Sequence, residues 1–293
     1  MVPVAELHTL DEMRAALDHV DYLVDDGLAM ALHLAQRLGQ PLLLEGEPGV
    51  GKTTAATALA EVLDTPLLRL QCYEGITAAE ALYEWNHPKQ ILKIRLAEAE
   101  HAGLRDEDLF TSEFLLDRPL LRAIRHEGDR PAVLLIDEID RADDEFEALL
   151  LEFLGECSIT VPEVGTFHPR QRPVVIITSN RSRELHDALK RRCFYHWIEF
   201  PSVERATAIV RRRVPSAAEP LATAATAFVA ESRDLDLDKP AGLAETIDWV
   251  SALSALGVAQ LDRTAGRATL GAIAKTPDDL DAVRSALDQR VAG

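Results

Sequence analysis

No stretch of this 293-residue chain approaches the roughly 20 consecutive apolar residues that cross a bilayer. Cations are scarce too: 31 Lys and Arg stand against 49 Asp and Glu, a formal charge of −18. A field of that sign disfavours general nucleic-acid and anionic-membrane binding, though it leaves room for a local basic patch. Cysteines number three (Cys72, Cys157 and Cys193) and form no C-x-x-C, so they read as reduced core residues of a cytoplasmic protein. The nine histidines show no metal-ligand spacing: His186 and His196 are ten apart, while His87, His126 and His168 stand alone. Neither a G-x-S-x-G nor a Cys–His pairing suggests a covalent nucleophile. The opening "MVPVAELHTLDEMRAALDHV" lacks the basic-then-apolar order of a secretory signal. Internal repeats and low-complexity tracts are missing as well.

What remains is ordinary for a globular chain, 47% apolar and 27% charged, with length for one large or two modest domains. Helix-spaced apolar residues run from about 11 to 39 (Met13, Leu17, Val20, Leu28, Ala31, Leu32, Ala35 and Leu38). Four short apolar runs follow, each entered by a proline: "PLLLE" from Pro41, "PLLRLQ" from Pro66, "PAVLLI" from Pro131 and "PVVIIT" from Pro173. Continuous apolar strands separated by helical segments predict a parallel α/β sheet covered on both faces. After "WIEFPS" the chain turns rich in alanine and leucine, and "TPDD" at Thr276–Asp279 is a helix start, with Thr as N-cap and Pro at the first position. The expected division is therefore an α/β domain over residues 1–202 and an all-helical one over 203–293.

The segment "GEPGVGKT" satisfies G-x-x-x-x-G-K-[ST] between a predicted strand and a predicted helix. Glycine at Gly49 and Gly51 lets successive N–H groups turn inward on a phosphate. Lys52 reaches the outer phosphates, Thr53 offers a hydroxyl to Mg²⁺, and the helix N-terminus favours the anion. The candidate nucleotide-binding residues are Gly46, Glu47, Pro48, Gly49, Val50, Gly51, Lys52 and Thr53, with Thr54 beside them. The second half of the site is "VLLIDEID": Asp137 at a strand end can hold the Mg²⁺ shell and Glu138 can polarise a water for attack on the γ-phosphate. "VVIITSN" ends in Asn180, whose amide would orient that water or contact the γ-phosphate, or simply make a turn. Apart from this Mg²⁺ no metal is expected. Three cations, Lys190, Arg191 and Arg192, come directly before an apolar run.

In chain order, Gly46–Thr53, Asp137 with Glu138, Asn180 and the arginine pair resemble the AAA+ ATPases, as Walker A, Walker B, sensor 1 and arginine finger. The wording of "LQCYEGITAAEALYEW", "DEIDRAD" and "TSNRSRELHDALKRRCFYHWIEFP" is similar to the MoxR-type branch and, within it, the CoxD-like subgroup. The resemblance spans roughly residues 20 to 255. It implies an AAA+ P-loop NTPase fold with a five-stranded parallel sheet flanked by helices and a small helical lid. It also implies ATP hydrolysis with Mg²⁺ in a homo-oligomeric, usually hexameric ring, where Arg192, with Arg191 as the alternative, completes a neighbour's site. Such rings act with a von Willebrand factor A (VWA) domain adaptor on a metalloenzyme client. CoxD-like members are associated with maturing molybdenum-containing carbon monoxide dehydrogenase and similar hydroxylases, and a neighbouring branch remodels Rubisco. A slow nucleotide-gated switch is the competing reading; a nucleic-acid motor is disfavoured by the charge.

Departures and open positions accompany the resemblance. Ala241 stands where a sensor 2 arginine would fall, with Lys239 nearby, and Asp140 replaces an asparagine common among MoxR relatives. Tyr83 and Trp85 either face a client from the insert after the second strand or anchor that insert. Residues 158–173 read as a hairpin, pre-sensor 1 or purely structural. Arg141 reaches across a subunit interface or pairs within its chain, and Arg211–Arg213 read as a solvated helix end.

Overall fold

The computed structural model of the protein describes residues 7–101 and 103–292. The expectation about a secretory signal falls partly on residues 1–6, outside the described residues. Two compact units are distinguished. One comprises the chain up to Val20, Val24–Glu45 and Thr53–Trp197; the other comprises Asp21–Leu23, Gly46–Lys52 and the chain from Ile198 onward.

The first unit opens with α1 (Leu10–His19), started by a Thr9 capping box with Glu12, and α2 (Asp26–Leu38), capped by Asp25 and stopped by Gly39 at φ 61°. Then come β1 (Leu42–Gly46), α3 (Lys52–Val62), β2 (Leu67–Gln71), the short α4 (Ala78–Ala81), β3 (Tyr83–Trp85) and α5 (His87–Ala99). They are followed by β4 (Leu115–Asp117), α6 (Pro119–Ile124), β5 (Val133–Asp137), α7 (Asp144–Glu156), β6 (Ile159–Val161) and β7 (Gly165–Phe167). The unit closes with β8 (Val174–Ser179), α8 (Asp187–Arg192) and β9 (Phe194–Ile198).

Five strands form one sheet in the order β2-β5-β8-β1-β9, parallel at β2–β5, β5–β8 and β8–β1. Every residue of β1, β5 and β8 is buried, which is why these three read as unbroken apolar runs. The prolines stand just before the strands rather than inside them, where no ladder N–H is required. The core joins Leu43, Leu134, Ile136 and Ile177 of the sheet to Leu120, Leu121, Phe146 and Leu150 of the helices.

Two small sheets depart from the strand-helix alternation. β3 pairs antiparallel with β4 across some thirty residues, a partnership that local sequence cannot announce. β6 and β7 make the hairpin read from residues 158–173. Arg191 and Arg192 stand before an apolar strand, as read from the sequence, and they also end a short helix, α8, with the strand beginning at Phe194.

The second unit is helical after Ile198: α9 (Val203–Arg213), α10 (Glu219–Ser232), α11 (Leu243–Ala255), α12 (Arg263–Thr269) and α13 (Pro277–Ala292). Its core packs Phe228 on Trp249 at 5.5 Å, together with Val210, Leu221, Val250, Leu253 and Leu287. Thr276 caps α13 as its sequence predicts, accepting from the Asp279 N–H at 3.1 Å. Among the described residues no helix is long and apolar enough to cross a membrane.

Candidate nucleotide-binding site

Three parallel strands end together at Asp137, Ser179 and Gln71, and chemistry gathers there because a parallel sheet brings every C-terminal strand end to one edge. Asp137 is 2% exposed, far too buried for a carboxylate without partners. It has them: Thr53 Oγ1 donates at 3.0 Å to Oδ1 and lies 3.3 Å from Oδ2, Thr178 Oγ1 donates to Oδ1 at 2.5 Å, and Arg69 Nη2 donates to Oδ2 at 2.6 Å. The first helix turn after the glycine loop and the end of β5 are thus joined through the two residues expected to hold Mg²⁺.

Among the described residues no group of three or more His, Cys, Asp or Glu could hold a metal ion. Thr53 and Asp137 alone suit Mg²⁺, which keeps several waters and takes substrate phosphates rather than a cage of protein ligands. Bound there, the cation would supply charge neutralisation on the phosphates.

Glu138 follows in the left-handed region at φ 55°, a costly conformation for a residue with a Cβ. Its N–H donates to Thr178 Oγ1 at 2.9 Å, so one hydroxyl serves both acids of the pair. Its Oε2 accepts from Gln71 Nε2 and from Arg141 Nη1, each at 3.0 Å. Arg141 therefore makes the intrachain ion pair.

Asn180 sits just past β8 and its backbone N–H donates to Asp140 Oδ1 at 3.2 Å. Asp140 is 3% exposed and also accepts from the Ser182 N–H at 2.8 Å and Ser182 Oγ at 2.6 Å. This carboxylate holds the loop that carries Asn180, a task to which an asparagine would bring a single oxygen. Cys72 lies close by: burial first, then the charges of Asp137, Asp140 and Glu138, push its thiol up to about 12. Burial does the same to Cys193, again to about 12. Both stay protonated near neutrality and are poor nucleophiles.

The glycine loop, Gly46–Lys52, belongs to the second unit. Gly49 has φ 79° and Gly51 φ 100°, the left-handed backbone that a phosphate-cradling turn needs. Lys52 is 7% exposed, with Nζ donating to the carbonyls of Gly46 at 2.6 Å and Glu47 at 2.8 Å. The start of α11 packs against this loop: the Leu243 N–H donates to Gly49 O at 3.1 Å, and a Cβ on Gly242 would stand 2.9 Å from Gly49 Cα. Ala241 is buried, its carbonyl accepting from Arg233 Nε at 3.1 Å, whereas the Lys239 side chain is exposed. The α11 start thus meets the loop through backbone and glycine.

Arg191 and Arg192 are exposed in the last turn of α8 and, among the described residues, neither pairs with a carboxylate. The root of α8 is tied down, however. Glu147, fully buried on α7, accepts from the His186 N–H at 3.1 Å and pairs with Arg183 Nη2 at 2.5 Å. Among the described residues no hydrogen bond joins the two arginines to Thr53, Asp137, Glu138 or Asn180. Tyr83 and Trp85 lie edge to face, Trp85 continues onto Phe110 at 5.2 Å, and both side with the core, as anchors of the insert. Sequence reasoning passed over Arg69, Gln71, Thr178 and Glu147. A polar residue at the end of β2 was the available signal for the first two.

A buried Asp-Glu strand end whose Asp takes the hydroxyl of the Thr that closes G-x-x-x-x-G-K-T, followed by a held Asn, is the pattern of a P-loop ATPase of the AAA+ class. More narrowly, residues 41–193 match the family described as AAA domain (dynein-related subfamily), over half of the chain, and the chain belongs to that family. Its AAA domain is an ATPase domain using ATP with Mg²⁺, and proteins of this class typically form oligomeric rings. The chain is 27% identical over 268 residues to the ATP-dependent zinc metalloprotease FtsH 3 of Sphaerobacter thermophilus, covering 89% of this chain. It spans only 44% of that relative's length. Solved structures of two RuvB mutants of Thermotoga maritima overlay with TM-scores of 0.49, at 20% and 18% identity, covering 90% of this chain and 71% and 72% of theirs.

Proposed function

We propose that the whole protein is an ATP-hydrolysing ring chaperone of the MoxR type, CoxD-like, which matures a molybdenum hydroxylase or related metalloenzyme with a VWA-domain adaptor in the cytoplasm. The hydrolytic part rests on one observation: a buried Asp137 carries the Thr53 hydroxyl while Glu138 is forced out of the strand end beside it. In this reading Gly46–Thr54 hold the nucleotide phosphates, with Lys52 on the outer ones. Thr53 and Asp137 hold Mg²⁺. Glu138 takes a proton from the attacking water at its carboxylate, and Asn180 orients that water.

Arg192, or Arg191, stabilises the developing charge in the site of a neighbouring copy of the chain. The exposed pair, without a carboxylate partner among the described residues and on an anchored helix, supports that assignment, since such cations are cheap to carry and ready for a partner. The subgroup, adaptor and client are supported by the wording around Leu70–Trp85, Asp137–Asp143 and Thr178–Pro201. The domain division at about Ser202 is proposed on the shift from strands to helices there.

A slow switch, the second reading, is favoured by Glu138 being already engaged by Gln71 and Arg141. Hydrolysis per subunit, measured against protein concentration with and without a candidate VWA adaptor, separates the two. A rate that rises steeply on assembly supports the ring machine. A flat, slow rate across that range overturns it in favour of the switch.

A further inference from the structure

Arg69 is a cation on the acid that is assigned to Mg²⁺. β2 runs parallel to β5 with Gln71 opposite Asp137 and Arg69 opposite Leu135. Side chains two apart on a strand share a face, so Arg69 and Gln71 lie on the same side. Arg69 Nη2 spans both, 2.6 Å from Asp137 Oδ2 and 2.6 Å from Gln71 Oε1. The two ends of the ion pair differ sharply in exposure: the Arg69 side chain is 52% exposed, that of Asp137 only 3%.

That asymmetry decides what the pair can do. The carboxylate is committed, because Thr53 and Thr178 hold Oδ1 and burial forbids it to stand uncompensated. The guanidinium is not committed, since it reaches in from solvent and can return there at little cost. A hydrated divalent cation on Asp137 would meet Arg69 as a like charge on one shared carboxylate, so the two compete for Oδ2.

We propose that Arg69 is a built-in counter-ion of Asp137 that Mg²⁺ displaces, and that it thereby sets the Mg²⁺ concentration at which nucleotide binds. The proposal rests on the assignment of Thr53 and Asp137 to Mg²⁺. It makes Arg69 a positioning residue: it keeps the empty site's buried acid compensated and raises the Mg²⁺ threshold for occupation.

The test uses the full chain, a fluorescent ADP analogue and a Mg²⁺ titration, with melting of the nucleotide-free protein as a second readout. For Arg69→Gln the half-saturating Mg²⁺ should fall about tenfold, in keeping with the loss of one half-exposed competing charge. Without nucleotide or Mg²⁺ the same variant should melt below the wild type, and Mg²⁺ with ADP should recover the deficit. Arg69→Lys keeps the charge but loses the planar fork, so its threshold should lie between the two. A threshold in Arg69→Gln that is unchanged or higher overturns the proposal, and if that variant does not fold, an unchanged threshold in Arg69→Lys does so. Lys52→Ala separates nucleotide binding from the role of Arg69. Wild-type analogue binding by Lys52→Ala would remove the nucleotide-site reading itself, whereas lost binding there beside an unmoved Arg69→Gln threshold removes only the role of Arg69.

Discussion

Two charged regions of the strand-bearing unit are built in opposite ways. At the ends of β5 and β8, Asp137, Glu138 and Asp140 are all bonded: Asp137 to two hydroxyls and a guanidinium, Glu138 to an amide and a guanidinium, Asp140 to the Asn180 loop. At the end of α8, Arg191 and Arg192 stand in solvent with no carboxylate partner among the described residues, on a helix whose root Glu147 fixes. The difference follows from desolvation. Buried acids must be satisfied inside the chain, whereas exposed cations need no internal partner and remain available to an outside one. One region is satisfied within its own chain; the other stands open to a partner from outside.

The comparison can be broken first at the arginines. Arg192→Ala should lower hydrolysis in the assembled protein by about 10³-fold or more, the scale of an arginine finger. It should leave the melting temperature of the chain nearly unchanged, because an unpaired surface cation stabilises little. A large loss of stability instead would mean that Arg192 belongs to the internal network after all.

The acids should respond by role. Glu138→Gln is expected to slow hydrolysis by about 10² to 10⁴ while retaining nucleotide binding, measured as single-turnover hydrolysis beside a binding isotherm. Equal losses in both would show that Glu138 shapes the site rather than acting on water. Asp140→Ala should cost about 1 to 2 kcal/mol in denaturant unfolding, since the Asn180 and Ser182 donors lose a buried charged acceptor in a loop that is itself half-buried to exposed. Less than about 0.5 kcal/mol would show that water replaces it readily.

The smallest effect concerns Cys72. Its folded pKa is raised to about 12 from an ordinary 9.0, so the neutral thiol is the form that the fold accepts. Its contribution is therefore fully present below pH 9 and lost as pH climbs from 9 toward 12. At pH 10 that amounts to about 1 kcal/mol. Cys72→Ala should flatten this part of the alkaline decline in urea midpoint, and an unchanged slope would assign the decline to other groups.

Much of this was legible in the order of residues. The four proline-led apolar runs lie in β1, β2, β5 and β8: β1, β5 and β8 are buried on both faces and have no polar face to show, whereas β2 alternates buried Leu68 and Leu70 with exposed Arg69 and Gln71. The glycine loop and the Asp-Glu pair were legible because phosphate and Mg²⁺ chemistry demands those residue types at fixed local spacing. The arginines were seen directly before an apolar run, which is β9, but the helix that carries them was not, since a six-residue helix carries too little periodicity to read. The β3–β4 pairing and the Arg69–Asp137 ion pair bridge long separations, and nothing local encodes a partner thirty or sixty-eight residues away.

By itself, then, the order of residues determined the class of the protein: an acidic α/β chain with a phosphate loop, a strand-end acid pair and a helical tail. Those features depend on short-range composition and spacing, which backbone sterics and burial translate directly into turns and strands. Only the tertiary structure decided which groups attend the acids. Strand order and register put Arg69 and Gln71 beside Asp137 and Glu138, Thr178 between them and Asp140 under Asn180. The reason is that a buried carboxylate takes the donors that packing brings within hydrogen-bond reach, wherever in the chain they arise.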